Sequence, residues 1–365
     1  RNPNMEDPVR GAGPLSGWSR ADHIVCASDE IVEQLAAGLL APSIDEILPL
    51  GDSSWIAATE VTSSSALIGT KTGEVGDIFR GMPSIYAISP DGESGRLSNG
   101  NEVIQPGDTL VFVSNSTDQF AQVTRGVGKS DPDLKERAQI AVFGASQFGM
   151  RLASYYLSRG HNVVVIEPDL DAANELVGST VGNSKRLDVI HGDPQDEELL
   201  KELGIDTHDI AVAALGDDNL NIAISMRAKD KGVQRTGLVL KDRALVEAVQ
   251  RIGSINPVSR RQVTVTSILK SIHMNVPGTF QVIPTVPEVI SISAEVRPEH
   301  SFAGKEIPKI ESKLGVRVAM VDRVDEHGAT QIIDPISIQT IEAGDRIYLL
   351  LLKKDLKKLE KNLGS

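Results

Sequence analysis

The sequence is poor in cysteine, in histidine patterns and in long apolar runs, and each shortage excludes a class of protein. Cys26 is the only cysteine, which excludes a disulfide framework and a cysteine-rich zinc site and fits a reducing cytoplasm. The most apolar run, Ile347–Leu352, has the length of a strand, whereas a membrane-spanning helix needs about 20 residues. The seven histidines are scattered without an H-x-x-x-H pattern, so metal binding through imidazole is not expected.

Positive charge and aromatic residues are also scarce. The formal net charge is −13 and aromatic residues make up 4% of the chain, with no basic stripe that carries interleaved aromatic side chains. This composition argues against a nucleic-acid partner. A length of 365 residues, 40% of them hydrophobic and 24% charged, is typical of a globular protein with two or more domains.

The most informative stretch is Gln139–Glu167. Its first residues, Gln139–Phe143, form an apolar run that predicts a strand, and Gly144-Ala145-Ser146-Gln147-Phe148-Gly149 follows in the layout of the dinucleotide fingerprint G-x-G-x-x-G. Helical spacing of apolar residues then continues to Gly160, and Asn162–Ile166 predicts a second buried strand. This order of strand, glycine turn, helix and strand predicts a nucleotide-binding fold.

The chemistry of the fingerprint assigns a role to each position. The first glycine makes a tight turn, the last lets the helix pack close to the strand, and the helix N-terminus offers N–H groups to a phosphate. Glu167 ends the second strand and is expected to hold ribose hydroxyls. Ser146 replaces the middle glycine, which leaves open the alternative of a Rossmann-like core with an empty or altered pocket.

Further βα units follow this stretch. Strands are predicted at Leu187–His191, Ile210–Leu215 and Gly237–Leu240, with amphipathic helices at Glu197–Leu203, Leu220–Lys231 and Ala244–Ile252. Alternating units of this length form a parallel sheet with right-handed crossovers. Asp193, Gly216, Asp217 and Asp218 fall where strands end, so each aspartate either binds a ligand or caps the next helix.

The chain also repeats itself. Gly69 leads through a strand-like stretch at Ser84–Ser89 to Gly107-Asp108, and Gly304 leads through Val316–Val321 to Gly344-Asp345. Each copy ends with a Gly-Asp turn that feeds an apolar strand. The repeat predicts two small β-rich lobes, one on each side of the Rossmann-like lobe.

Taken in order, these residues resemble the RCK domain, the regulator of potassium conductance, as it occurs in tandem in bacterial potassium channels and in the Trk-type uptake regulator. The resemblance rests on a set of short motifs in a specific order: the glycine turn with Glu167, Val189–Asp193 with Leu199-Leu200, Gly204-Ile205, Gly216–Asn219, Asn221 and both Gly…Gly-Asp patterns. Asp22–Leu40 looks more like the channel branch than the transporter regulator.

The resemblance implies a duplicated architecture: a Rossmann-like parallel sheet lobe and small α+β C-terminal lobes, with the first Rossmann lobe truncated. The expected segments are the end of that first lobe with its crossover helix at 1–54, a first small lobe at 55–125, a linker at 126–136, a complete Rossmann-like lobe at 137–285 and a second small lobe at 286–365. Two apolar helix faces are expected to meet a partner subunit, one with Leu35, Leu39 and Leu40 and one with Ile268, Leu269 and Ile272.

The resemblance also implies regulation without catalysis. NAD or NADH is the expected ligand, with ATP, ADP, AMP or Ca²⁺ as alternatives, and the metal-binding residues stay unknown. In relatives an arginine in the fifth strand often meets the phosphates; Val239 stands there in this chain, with Lys241 two residues on. The expected partner is a membrane potassium channel pore or transporter subunit, on the same chain or a separate one, at the inner face of the cell membrane.

Further expectations concern assembly and the competing functions. Dimers that assemble into a tetrameric ring of eight RCK domains are implied. An NAD-dependent oxidoreductase and a ligand-free scaffold remain alternatives, although none of the four tyrosines has a lysine four residues later, and the G-x-S-x-G and Walker A patterns are absent.

Overall fold

The computed structural model describes residues 27–51, 54–131, 134–252, 255–261, 263–265, 279–300, 303–325 and 330–363. The described helices are α1 Ala27–Leu40, α2 Val75–Ile78, α3 Asp118–Gly126, α4 Gln147–Ser158, α5 Leu170–Gly178, α6 Glu197–Glu202, α7 Asp218–Asp230, α8 Arg243–Ile252, α9 Ile307–Leu314 and α10 Leu356–Leu363. The described strands are β1 Glu46–Gly51, β2 Ser54–Glu60, β3 Ile85–Ser89, β4 Arg96–Leu97, β5 Thr109–Ser114, β6 Gln139–Phe143, β7 Asn162–Glu167, β8 Leu187–His191, β9 Ile210–Ala213, β10 Arg235–Leu240, β11 Asn256–Ser259, β12 Thr279–Val282, β13 Val289–Glu295, β14 Val316–Val324, β15 Thr330–Ile333 and β16 Arg346–Leu352. None of the described helices is both long and apolar enough to span a bilayer.

The chain divides into two compact units. The first takes Arg1–Pro42 with Pro132–Ile268, and the second takes Ser43–Asp131 with Leu269–Ser365. Each unit is therefore built from two separate segments of the sequence.

The first unit is a parallel sheet in the order β8-β7-β6-β9-β10-β11. This is the doubly wound Rossmann order, in which the direction of winding reverses between the first and fourth strands. The central strands β6 and β9 are largely apolar and buried, as expected where helices cover both faces of a parallel sheet, whereas the edge strand β8 is partly exposed. The predicted α/β fold with a Rossmann-like lobe is confirmed.

Helix α1 covers part of this sheet, packing on α4, β10 and β11. Leu35 and Leu39 are fully buried in the same core as Ile140 and Leu152. Gly237 on β10 makes room for them, because a Cβ there would lie 2.8 Å from the Leu35 side chain and 3.2 Å from that of Leu39.

The expectation that this α1 face meets a partner subunit is therefore wrong for Leu35 and Leu39. Both side chains pack on the sheet of their own chain, and Leu40 is half-buried. Of the second expected face, Ile268, Leu269 and Ile272 lie outside the described residues, as do the residues before Ala27.

The second unit contains two antiparallel sheets with the same topology. Their orders, β1-β2-β5-β3-β4 and β12-β13-β16-β14-β15, correspond strand for strand. The match extends to single bonds, since Asp108 Oδ2 accepts from the Gln105 N–H at 2.8 Å and Asp345 Oδ2 from the Glu342 N–H at 2.7 Å. The duplication predicted from the Gly-Asp patterns is confirmed at atomic level.

Three expected borders shift in the structure, because sheet pairing extends the small lobes. The border at 54 moves to 42, since β1 pairs with β2, and the border at 285 moves back, since β12 pairs with β13. The expected linker at 126–136 begins inside the first small lobe, where the carbonyl of Val127 accepts from the Thr62 N–H at 3.0 Å.

The two small lobes share a core within the second unit. Ile56 and Val111 of the first lobe and Met320 and Leu350 of the second belong to one buried cluster. A hydrogen bond of 3.2 Å from the Tyr86 hydroxyl to the Ala319 carbonyl also joins them. The repeat thus forms one body from two similar sheets.

Glu46 on β1 supplies another polar contact between the two lobes. Its Oε2 accepts from the backbone N–H and from the hydroxyl of Thr285, each at 3.0 Å. Burial raises the pKa of Glu46 to about 7; the bonds from Thr285 oppose this shift and the charge of Asp45 adds to it. Because the folded state holds this proton more tightly than the unfolded chain, stability falls as the pH rises from 4.5 towards about 7.

We expect Glu46→Gln to remove roughly 2 kcal/mol of the pH dependence of unfolding between about pH 5 and pH 8. Urea denaturation of the wild-type and variant proteins across this range measures the difference. Glu60→Gln, at the exposed end of β2, is the control and should leave the wild-type profile unchanged. A Glu46→Gln profile with the wild-type slope would contradict the assignment.

Candidate functional site

The candidate site lies at the carboxyl edge of the parallel sheet, where the strand order reverses between β6 and β9. Ligands of doubly wound folds bind at this position. Gly144 leaves β6 with a φ of +108°, and its N–H donates to the Ile166 carbonyl at 2.9 Å. The positive φ explains the first glycine of the fingerprint, since side chains with a Cβ rarely adopt it.

Gly149 allows helix α4 to lie against the end of β6. A Cβ at this position would stand 1.8 Å from the Gly144 carbonyl oxygen and 3.6 Å from the Val142 side chain. No movement of a flexible side chain can relieve a clash with a backbone oxygen. The role predicted for the last glycine, close packing of helix on strand, agrees with this geometry.

Ser146 is the N-cap of α4. Its side chain accepts from the Gly149 N–H, and its hydroxyl donates to the Ala214 carbonyl at 2.7 Å, which ties the loop after β6 to the loop after β9. The serine thus satisfies one helical N–H that a glycine at this position would leave free for a ligand. Ala145 is buried beside it, and Gln147 begins the helix half-buried.

Glu167 lies under the glycine loop and is 6% exposed. One carboxylate oxygen accepts from the Ala145 N–H at 2.5 Å and the other from the Asp169 N–H at 2.9 Å. The carboxylate therefore fixes the loop directly. Each oxygen still has lone-pair capacity for a further donor such as a ribose hydroxyl.

Asp193 reaches the same edge but does not cap a helix. Its Oδ1 accepts from the Gln195 N–H at 2.8 Å in a turn, and Asp196 is the N-cap of α6. The alternative that Asp193 caps the next helix is wrong, because α6 begins at Glu197 and Asp196 caps it. The Asp193 side chain is exposed on this edge.

Gly216, Asp217 and Lys241 come together where β9 and β10 end. Asp217 is the N-cap of α7 and accepts from the Leu220 N–H at 2.9 Å, which confirms the capping alternative for this residue. The Lys241 ammonium donates to the Gly216 carbonyl. Asp218 Oδ2 accepts from the Lys241 and Asp242 N–H groups, each at 2.9 Å, so the two loops are joined.

Asn221 bonds to the backbone where β9 and β10 end. It is fully buried and its amide nitrogen donates to the carbonyls of Leu215 and Val239, each at 3.0 Å. Its amide oxygen accepts from the Leu215 N–H at 2.9 Å. All of these bonds go to backbone, so the side chain determines where the chain leaves both strands.

Arg260 is a residue at this edge that the sequence did not indicate. It follows β11 directly, and its guanidinium carbon lies 4.7 Å from the ring centroid of Phe148, in the first turn of α4. The one signal that could have found it is its position after the last parallel strand, because all parallel strands end at the same edge. Metal ligation has no comparable support, since no three His, Cys, Asp or Glu side chains are grouped to hold an ion within the described ranges.

We expect Gly149→Ala to destabilise the first unit by about 3 kcal/mol, because the added Cβ forces α4 away from the Gly144 carbonyl. Gly178→Ala is the matched control: it ends α5 in the same unit, and a Cβ there meets nothing within 4 Å. The control should be as stable as the wild type or gain up to about 1 kcal/mol. Chemical denaturation measures both, and equal stability of the two variants would refute the close-packing role.

Comparison with known proteins identifies one family domain in the chain and several similar proteins. Residues 140–260 match the TrkA-N domain. The Trk system potassium uptake protein TrkA of Azorhizobium caulinodans is 24% identical over 344 residues, which cover 93% of this chain and 72% of the relative. The protein of the same name in Halomonas elongata is 26% identical over 296 residues, and the chain spans 60% of its length. The corresponding Streptomyces coelicolor protein is 28% identical over 222 residues.

Solved structures of RCK proteins also align with the whole chain. The RCK domain of GsuK has a TM-score of 0.46 at 17% identity and is 73% covered. The GsuK channel bound to NAD has a TM-score of 0.48 at 18% identity and is 61% covered. The resemblance drawn from the sequence is confirmed for the part that the family model matches: residues 140–260 form a TrkA-N domain, and the chain is similar to TrkA proteins over 93% of its length.

Proposed function

We propose that this chain is a ligand-sensing regulatory module of a potassium transport system and that it binds a dinucleotide at the carboxyl edge of the parallel sheet. The observation that carries the proposal is the loop from Gly144 to Gly149, which is built as a phosphate turn at the switch point and is fixed by Glu167. Similarity to TrkA proteins over 93% of the chain supports the regulatory role.

Different groups at this edge would bind different parts of the dinucleotide. The N-terminus of α4 offers N–H groups and partial positive charge to a pyrophosphate. Lys241 and Arg260 add full positive charges on the β10 and β11 side, and Glu167 on β7 accepts from the ribose hydroxyls. Asp193, which is exposed two residues after the end of β8, would face the adenine. These placements favour NAD or NADH, with ATP, ADP or AMP occupying the adenosine half of the same site.

Regulation follows when the ligand binds two conformations of the module with different affinity. The module then transmits its state to a membrane potassium channel pore or transporter subunit. We expect dimers that assemble into a tetrameric ring of eight RCK domains at the inner face of the cell membrane. In this scheme the bound nucleotide is not consumed, so the module senses a ligand and catalyses no reaction.

Ligand-induced thermal stabilisation of the chain tests the proposal against its alternatives. NAD, NADH, ATP, ADP, AMP and Ca²⁺ are tested separately, and a ligand at about 100 times its Kd adds roughly 2.7 kcal/mol. Stabilisation by a nucleotide without turnover supports the sensor. Hydride transfer to a small carbonyl compound would favour the oxidoreductase, and a null result for the whole panel would favour the ligand-free scaffold.

We expect Arg260→Ala and Lys241→Ala each to weaken NAD binding about tenfold, because each removes one cation from the phosphate side of the site. Affinity for adenosine, which carries no phosphate, should stay unchanged. Isothermal titration at two salt concentrations measures both ligands. Arg261→Ala, next to Arg260, and Lys231→Ala, at the C-terminal end of α7, each remove one positive charge outside the site and are the controls. Equal losses in variants and controls would assign the effect to net charge alone.

A further inference from the structure

The second unit contains a cavity of about 560 Å³ between the two small lobes. The first lobe contributes Ser84 and Tyr86, from the start of β3, and the second lobe contributes α9, the start of β14 and the segment after β15. This volume accommodates a small organic molecule. The cavity shares no residue with the candidate nucleotide site, which lies in the other unit.

Five of the eleven residues that line the cavity are aliphatic. Ile307, Pro308, Val318, Pro335 and Ile338 line it, and they belong to the second lobe. A wall of this kind favours a branched or straight hydrocarbon group, which gains about 25 cal/mol for each Å² removed from water. No aromatic ring other than Tyr86 is among the described lining residues, so stacking on a planar base has little support.

The remaining lining residues are polar or aromatic, and two of them, Arg317 and Glu311, form an ion pair. Arg317 Nε lies 3.4 Å from Glu311 Oε1, without the alignment of a hydrogen bond, and Glu311 Oε1 also accepts from the Val318 N–H at 2.9 Å. Arg317 Nη1 donates to the Ser98 carbonyl of the first lobe at 3.2 Å. Among the described residues, Arg317 Nη2 and Glu311 Oε2 have no hydrogen-bond partner.

A positively charged donor and a negatively charged acceptor therefore stand side by side, next to the aliphatic part of the wall. A simple anion would meet the repulsion of Glu311 and a simple cation that of Arg317, whereas Glu306 is already paired with Lys309 at 3.1 Å. A zwitterion satisfies both groups, with its carboxylate on the guanidinium and its ammonium on the carboxylate. A nucleotide, with two or more negative charges, would find one arginine that is already paired with Glu311.

We propose that this cavity binds an aliphatic α-amino acid and so forms a second effector site between the small lobes. The ligand would touch Ser84 and Tyr86 of the first lobe and Arg317 and Glu311 of the second. A bound ligand would therefore stabilise the contact between the lobes, as the hydrogen bond from the Tyr86 hydroxyl to the Ala319 carbonyl already does. The site requires neither a nucleotide nor the first unit.

Titration of the full chain with L-leucine and two of its fragments tests the ligand class. The fragment 4-methylpentanoate lacks the ammonium group, and isopentylamine lacks the carboxylate. We expect saturable binding of leucine in calorimetry, with a matching thermal stabilisation, and at least about tenfold weaker binding of either fragment, since each can bond to only one member of the Arg317–Glu311 pair. Failure of valine, isoleucine, leucine and methionine to bind at millimolar concentration would overturn the proposal, as would equal binding of leucine and a fragment.

Variants locate the site. Arg317→Lys keeps the charge but loses the planar donors, and Glu311→Gln removes the negative charge; both should weaken leucine binding about tenfold or more. Lys313→Gln is the matched control, since this exposed residue of α9 does not line the cavity. Ser84→Leu fills the cavity from the first lobe and leaves the ion pair intact.

The Ser84→Leu variant keeps the test decisive if a change at Arg317 loosens the lobes. Loss of leucine binding in Ser84→Leu and in Glu311→Gln, with the control unchanged, supports the site. Unchanged binding in Ser84→Leu would overturn it by placing leucine elsewhere. NAD titration of the same variants separates this proposal from the nucleotide site, because both cavity variants should bind NAD like the wild type.

Discussion

The approach of helix α4 to the end of β6 is the constraint on which the candidate site depends. With the Gly149 Cα almost against the Gly144 carbonyl, the first turn of the helix is held at the edge of the sheet, and its N–H groups point at the space where the strand order reverses. A residue with a side chain would move the helix outwards, and the loop would lose its bond to Glu167. The position of the site therefore depends on the packing of the α4 backbone against the end of β6.

The polar side chains at this edge hold the protein's own loops in place. Glu167, Ser146, Asp217, Asp218 and Asn221 all bond to backbone atoms, and together they fix three loops that leave β6, β9 and β10. Such preorganisation lowers the entropy that a ligand must remove when it binds. It also means that a ligand adds bonds to groups that are already held in place, which is the arrangement expected of a sensor with a defined binding geometry.

Duplication gives the second unit a property that one lobe lacks. Two sheets of the same topology pack with a shared apolar core, and the polar contacts between them include those from Tyr86, Glu46, Arg317, Ser54 and Gly95. These polar contacts are specific to one arrangement of the lobes. A cavity lined from both sides is therefore sensitive to that arrangement.

The sequence by itself determined the local elements. The glycine turn, the period of the apolar residues and the Gly-Asp turns predicted β6 to β10, helices α4 and α7 and the repeated lobes, because each depends on backbone conformation and neighbouring residues. Tertiary structure alone decided that Leu35 and Leu39 pack on the sheet of their own chain, that β1 and β12 extend the small lobes, and that Arg260 stacks on Phe148. Each of these outcomes depends on a contact between residues far apart in the chain, and the local sequence pattern does not show such contacts.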